Sequence, residues 1–112
     1  MNKYISRFDK HTAPEGHGGT ILADKVLPKG LPAPFGDAWG YLEGAGAMEA
    51  HTHPTQEIYL VVDGTGFCVI DGERFAIRAG DVIHIPPNAL HSVECEAGKS
   101  ILWAAFWWEE IS

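Results

Sequence analysis

The sequence predicts an all-β domain, a closed barrel or sandwich of short strands, and three observations carry that prediction. Thirteen glycines and seven prolines are scattered along the 112 residues without forming a repeat, which cuts the chain into short segments. From Glu57 onward those segments are β-branched and aromatic and alternate with turn residues. No stretch shows apolar residues at helical spacing between recognisable caps.

The elements follow in order. Within the first 36 residues Pro14, Gly16, Gly18, Gly19, Pro28, Gly30, Pro32, Pro34 and Gly36 interrupt all but short runs such as Thr20 to Val26. Residues 1–36 are therefore read as an arm that packs on the barrel or on a second copy, and residues 37–112 as the barrel. Glu57 to Val62 is a strand, Asp63-Gly64-Thr65-Gly66 a turn, Phe67 to Ile70 a second strand, and Asp71-Gly72 a hairpin turn. Arg74 to Arg78 alternates charged and apolar residues, Ala79-Gly80-Asp81 turns, and Val82 to Ile85 is β-branched. Pro86-Pro87-Asn88 forbids its continuation. Leu90 to Cys95 resumes extended structure, and after the turn at Glu96 to Lys99 the aromatic-rich Ser100 to Trp108 is the last strand.

Composition bounds the function. At 46% hydrophobic and 21% charged, the chain buries enough apolar surface for one core. A net charge of −7 and a pI near 5.2 argue against nucleic acid as a partner. No apolar run is long enough to span a membrane, and Met1 to Arg7 has no apolar segment behind its charges, so the chain is expected to be cytoplasmic. Cys68 and Cys95 lack the close spacing of zinc or redox motifs and are expected to be free, mostly buried thiols; one disulfide would require that their strands be neighbours.

The chemistry concentrates in His51-Thr52-His53-Pro54-Thr55-Gln56-Glu57. On an extended chain His51 and His53 emerge on one face, about 6.6 Å apart along the strand, so two imidazoles converge on one ion. Glu57 shares their parity, and its side chain is long enough to reach the same point despite the kink expected at Pro54. His91, after the Pro86-Pro87-Asn88 turn, is the fourth candidate. Three imidazoles and one carboxylate suit a divalent first-row metal (Mn, Fe, Ni, Zn or Cu), one per chain. On an octahedral ion they leave two positions open; on tetrahedral zinc they close the site and the role is structural.

The segment His51-x-His53-x-x-x-Glu57 with Gly64, followed after 15 residues by Gly80, Pro86, Asn88 and His91, resembles the two motifs of the cupin superfamily. The resemblance covers about half the chain and is similar to compact microbial single-domain cupins. It implies a double-stranded β-helix, or jelly-roll barrel, holding a metal by His51, His53, Glu57 and His91. Three positions depart from the pattern. Ala45, between Gly44 and Gly46, stands where a glycine is expected; Asn88 replaces another glycine, an exchange its tolerance of left-handed backbone permits; and Cys95 stands where an asparagine often closes the motif. None of these touches a ligand.

Around the metal, Tyr59 shares the phase of Glu57 and is the candidate catalytic residue, as an orienting donor or weak acid, against the plainer role of a core aromatic. Glu49 is expected to be solvated, His84 to be a buried hydrogen-bonded residue and no ligand, and His11 and His17 to face solvent. Asp37, Glu43, Glu109 and Glu110 read as solubilising charges. Trp39 pairs with Tyr41 and Trp103 with Trp107 at strand spacing; such aromatic surface lines a pocket or a subunit interface, and for Ser100 to Trp108 the interface of a homodimer is the expectation. Two functions follow: a metal-dependent enzyme acting on a small polar metabolite, with sugar isomerases, lyases and dioxygenases among the proteins resembled, or a non-catalytic module that binds a small molecule or ion.

Overall fold

The computed structural model describes residues 3–110. Its strands are β1 (Glu15–Gly16), β2 (Ile21–Asp24), β3 (Gly36–Glu43), β4 (Gly46–Ala47), β5 (Gln56–Ile70), β6 (Glu73–Arg78), β7 (Val82–Ile85), β8 (His91–Cys95) and β9 (Ser100–Trp108), with no helix among the described residues. All pairings are antiparallel and form two sheets joined through β5, ordered β1-β2-β3-β9-β5-β7 and β4-β8-β5-β6. This curled, all-antiparallel arrangement is a cupin-like jelly-roll barrel.

The expected turn at Asp63 to Gly66 is absent. β5 runs unbroken for 15 residues, its first half pairing with β7 and β9 and its second with β6 and β8. A register shift between Val61 and Asp63 and a positive φ of 82° at Gly64 bend the strand from one sheet into the other. A Cβ at Gly64 would collide with the Ser100 carbonyl, so two glycines read as a turn instead permit a close crossing. The hairpin at Asp71-Gly72 is as expected, with φ of 47° and 84°, the signature of a tight two-residue turn.

Within residues 1–36 the structure places β2 beside β3 in the sheet, and the carboxylate of Asp37 secures the segment that follows. That residue is buried, not a solubilising charge: it accepts hydrogen bonds from the backbone N–H of Val26 (2.8 Å) and Leu27 (3.3 Å) and from Lys25 Nζ (3.2 Å). The closed end of the barrel is a packed core of Leu42, Cys68, Ile77, Val93, Cys95 and Ile101, and both cysteines are free thiols. Burial pushes the Cys68 thiol up to about 11, with the Glu57 charge adding to it.

Candidate metal centre and its cavity

His51 and His53 lie on an extended segment between β4 and β5 that is not itself a strand. It is fastened to β8: Met48 N–H donates to Val93 O (2.8 Å), Ser92 Oγ to Met48 O (2.6 Å), and His51 and His91 exchange backbone hydrogen bonds in both directions (3.1 and 3.0 Å). That isolated antiparallel bridge sets His51 directly opposite His91 on one face. Asn88, with φ of 65°, turns the chain after β7 and donates its N–H to His53 O at 2.7 Å, so the second histidine segment is tied to the loop that leads into His91. The potential ligand atoms of His51, His53 and His91 all fall within 4.8 Å of one another.

The fourth residue, Glu57, projects from the start of β5 to the same place. Its Oε1 lies 2.8 Å from His53 Nε2 and 3.4 Å from His91 Nε2. The carboxylate is buried, and its ion-pair partners are those two histidines alone among the described residues. A buried carboxylate faced only by imidazoles calls for a proton or a cation between them.

The hydrogen bonds fix which imidazole nitrogen is free. His51 Nδ1–H donates to Glu49 O (2.9 Å) and His91 Nδ1–H to Ala89 O (2.8 Å); since a carbonyl only accepts, each Nε2 keeps its lone pair. His91 Nε2 is buried and makes no hydrogen bond. Burial disfavours the charged form of His91, but the Glu57 carboxylate, 3.4 Å from Nε2, and the Ala89 carbonyl outweigh it and raise its pKa. For His53, Nε2–H donates to Glu57 while the Thr55 hydroxyl, 2.9 Å away, donates to Nδ1. A cation at the centre requires the other tautomer, and the Thr55 carbonyl, 3.3 Å from Nδ1, is the acceptor for it. The donor set, its orphaned buried nitrogen and its carbonyl-oriented rings fit a divalent transition metal.

This cluster opens on a cavity of about 330 Å³ lined by His51, His53, Glu57, Tyr59 and the walls described next. Trp103 and Trp107 both line it, so the inward aromatics of this strand form pocket wall, while Leu102, Phe106 and Trp108 project outward. Each indole lies across a glycine of β3, Trp107 on Gly36 and Trp103 on Gly40, its partners in register. Tyr59 is buried between Trp103 and His91, with ring centroids 5.8 and 6.1 Å away, and its hydroxyl makes no hydrogen bond to the described residues. Burial, with the Glu57 charge, holds its pKa well above the usual phenol value.

Two histidines have surroundings that the sequence does not indicate. His84 is exposed and bonds Gln56 through Nε2 (2.7 Å), because its parity on β7 points it out of the barrel; it is no ligand, as expected, but it is not buried. His17 stays largely exposed, yet its ring stacks on His51 at 4.2 Å and borders the cavity. Burial of its ring, and repulsion from His51, lower its pKa. The run of left-handed residues His17, Gly18 and Gly19 folds this turn, and Thr20 Oγ, accepting the Glu49 N–H at 2.9 Å, pins it beside the His51 segment. The His-Gly-Gly sequence was the signal available for it. Glu49 is exposed and serves through its backbone.

The sequence model of the family described as Cupin domain matches residues 39–107. An uncharacterized protein of Methanocaldococcus jannaschii, MJ1618, is 42% identical over 79 residues, covering 68% of this chain and 62% of that protein. Gentisate 1,2 dioxygenase 1 of Aquipseudomonas alcaligenes is 37% identical over 54 residues, 47% of this chain but only 16% of that enzyme. The chain thus spans less than two thirds of either relative's length. Among solved structures, a Cupin 2 conserved barrel domain protein from Salinispora arenicola superposes with a TM-score of 0.83 at 25% identity, over 97% of this chain and 91% of that one.

Proposed function

The chain belongs to the cupin domain family, and on that premise we propose that it is a metal-dependent enzyme acting on a small molecule that reaches the ion through the cavity, by lyase, isomerase or dioxygenase chemistry. The observation that supports this most is that His51 and His91 commit Nδ1 to backbone carbonyls, and that the ligand atoms of His51, His53 and His91 converge beside an open cavity. His51, His53 and His91 would hold the metal through Nε2, and Glu57 would supply the anionic ligand. A divalent ion bound there acts as a Lewis acid toward oxygen donors of the substrate.

The chain's own residues do the rest. Glu49, Thr55 and Ala89 carbonyls hold the imidazole planes, so no rotamer search accompanies binding. Tyr59 lines the cavity and would donate its unengaged hydroxyl to orient the substrate. Trp103, Trp107, Met48 and Ile21 exclude water from the space beside the ion. Within the same proposal the protein is cytoplasmic and a homodimer, supported by the exposed Leu60, Val82 and Trp108 on the outer face of the larger sheet.

Elemental analysis of the untagged protein beside His53→Ala tests the centre. About one metal per chain is expected in the wild type, with loss of most of it in a folded variant. Equal metal in both, or turnover that survives complete metal removal, refutes the proposal. Recovery of a tightly held ligand unchanged after long incubation with metal-loaded protein would favour a binding module.

A further inference from the structure

The walls of the cavity say more about its occupant than the metal centre does. No lysine or arginine lines it, and its hydroxyl-bearing side chains are Thr52, Thr55 and Tyr59, of which Thr55 is already engaged with His53. A polyhydroxylated compound brought into this space would leave most of its hydroxyls without partners, each at a cost. Charge narrows the choice again. A divalent ion held by neutral imidazoles and one carboxylate carries a single net positive charge, which one anionic group neutralises. A second anionic group would find no cationic side chain and would face Glu57.

The wall opposite is flat by construction. A Cβ at Gly36 would strike Cε2, Nε1 and Cζ2 of Trp107 together, and one at Gly40 the same atoms of Trp103, so each indole lies face-on to the backbone of β3. Between them the register pairs Ala38 with Ala105, whose methyl groups also line the cavity. Trp107 stands next to Glu57 across β5 and β9, yet its ring leans over Gly36, on the β3 side. Glycine at both β3 positions therefore yields a plate of two ring faces and two methyl groups, one end of which adjoins the ligand cluster.

We infer that the cavity takes a flat, aromatic monoanion with adjacent oxygen donors at one end, its oxygens toward the histidine and glutamate cluster and its ring against the Trp103 and Trp107 plate. This rests on the metal reading for the head of the ligand and on the wall alone for its body. Stacking on an indole face and burial of a ring suit such a body; of the lining residues, Trp39 keeps a buried Nε1–H without a hydrogen-bond partner.

The test uses the full chain loaded with zinc, with salicylate as the flat monoanion, phthalate as the flat dianion and gluconate as the polyhydroxylated monoanion. Binding is followed by calorimetry and by the indole N–H resonances. Salicylate is expected to bind at least tenfold more tightly than either competitor and to shift the Trp103 and Trp107 resonances. Trp107→Leu should weaken salicylate at least fivefold with zinc content unchanged, and Ala105→Leu, which keeps both indoles but fills the space between them, should do the same. The inference is overturned if gluconate or phthalate binds as tightly, if salicylate leaves both indoles unmoved, or if both variants bind like the wild type. Should the protein take up no zinc, the metal reading fails by itself. The wall is then read in metal-free protein with the neutral pair phenol and myo-inositol: shifts from phenol alone uphold it, and equal shifts or none refute it.

Discussion

The two halves of β5 each alternate inward and outward, with the phase reversed at the register shift between them, and reach opposite outcomes. In the first half, Glu57 and Tyr59 point inward beside Trp107 and Ala105 and border open space. In the second, Cys68 points inward and meets Val93, Ile77 and Ile101 in a core that is closed. The strand itself does not decide between cavity and core; its neighbours do. Where β9 and β3 contribute Ala105, Ala38, Gly36 and Gly40, volume is missing, and where β8 and β6 contribute Val93 and Ile77, it is filled. Small residues on the strands facing the site thus create the seat, while branched residues at the other end supply the stability that an open end forgoes.

The junction of the halves is where the comparison breaks most easily. Gly64→Ala adds a methyl at positive φ into the Ser100 carbonyl, so backbone must move in two sheets at once. A loss of about 4 kcal/mol or more is expected, a large share of the roughly 5–15 kcal/mol that holds such a domain folded. Gly98→Ala is the control: φ is also positive, at 75°, but nothing lies within 4 Å, and a loss of only about 1 kcal/mol is expected. Urea denaturation of the pair checks this, and equal losses would mean that the crossing is not tight.

The halves themselves come next. At the closed end, Ile101→Ala leaves a void beside Cys68 and Val93 and should cost about 2–5 kcal/mol. At the open end, Tyr59→Phe removes a hydroxyl that no described residue bonds, and a change of less than about 0.5 kcal/mol is expected. A Tyr59→Phe loss as large as that of Ile101→Ala would show that the open end is as integral to folding as the closed one.

Much of the barrel is legible in local pattern. β7 and β9 begin and end where Pro86 and the flanking turns put them, and the Asp71-Gly72 hairpin is where its dipeptide places it. Local pattern fails where a residue's role comes from a distant segment. Gly64 and Gly66 read as a turn because nothing near them reveals that β9 crosses at Ser100. Asp37 reads as a surface charge because the N–H groups it binds lie ten or more positions earlier. His17 is exposed as it reads, but its stacking on His51 is not legible because that partner is on another segment altogether. At the candidate centre the spacing of His51, His53 and Glu57 is visible in one stretch, whereas the bridge that sets His91 opposite His51 belongs to tertiary pairing.

The smallest structural change is the one that separates orientation from folding. Thr55→Val is nearly isosteric and keeps the backbone carbonyl that accepts from His53 Nδ1, but it deletes the hydroxyl 2.9 Å from that nitrogen. In the metal-free chain that hydroxyl favours the tautomer with Nε2–H on Glu57, the one a cation must displace. Its loss therefore removes a competitor, and with the carbonyl still in place zinc affinity should rise, by a few-fold, with stability within about 0.5 kcal/mol of the wild type. If the hydroxyl instead steadies the ring in the bound state, affinity falls by the tenfold or more typical of lost outer-shell support. Competition titration with a chromogenic chelator reads the sign directly, and a fall would mean that the Thr55 hydroxyl accepts from Nδ1–H in the bound state and clamps the ring.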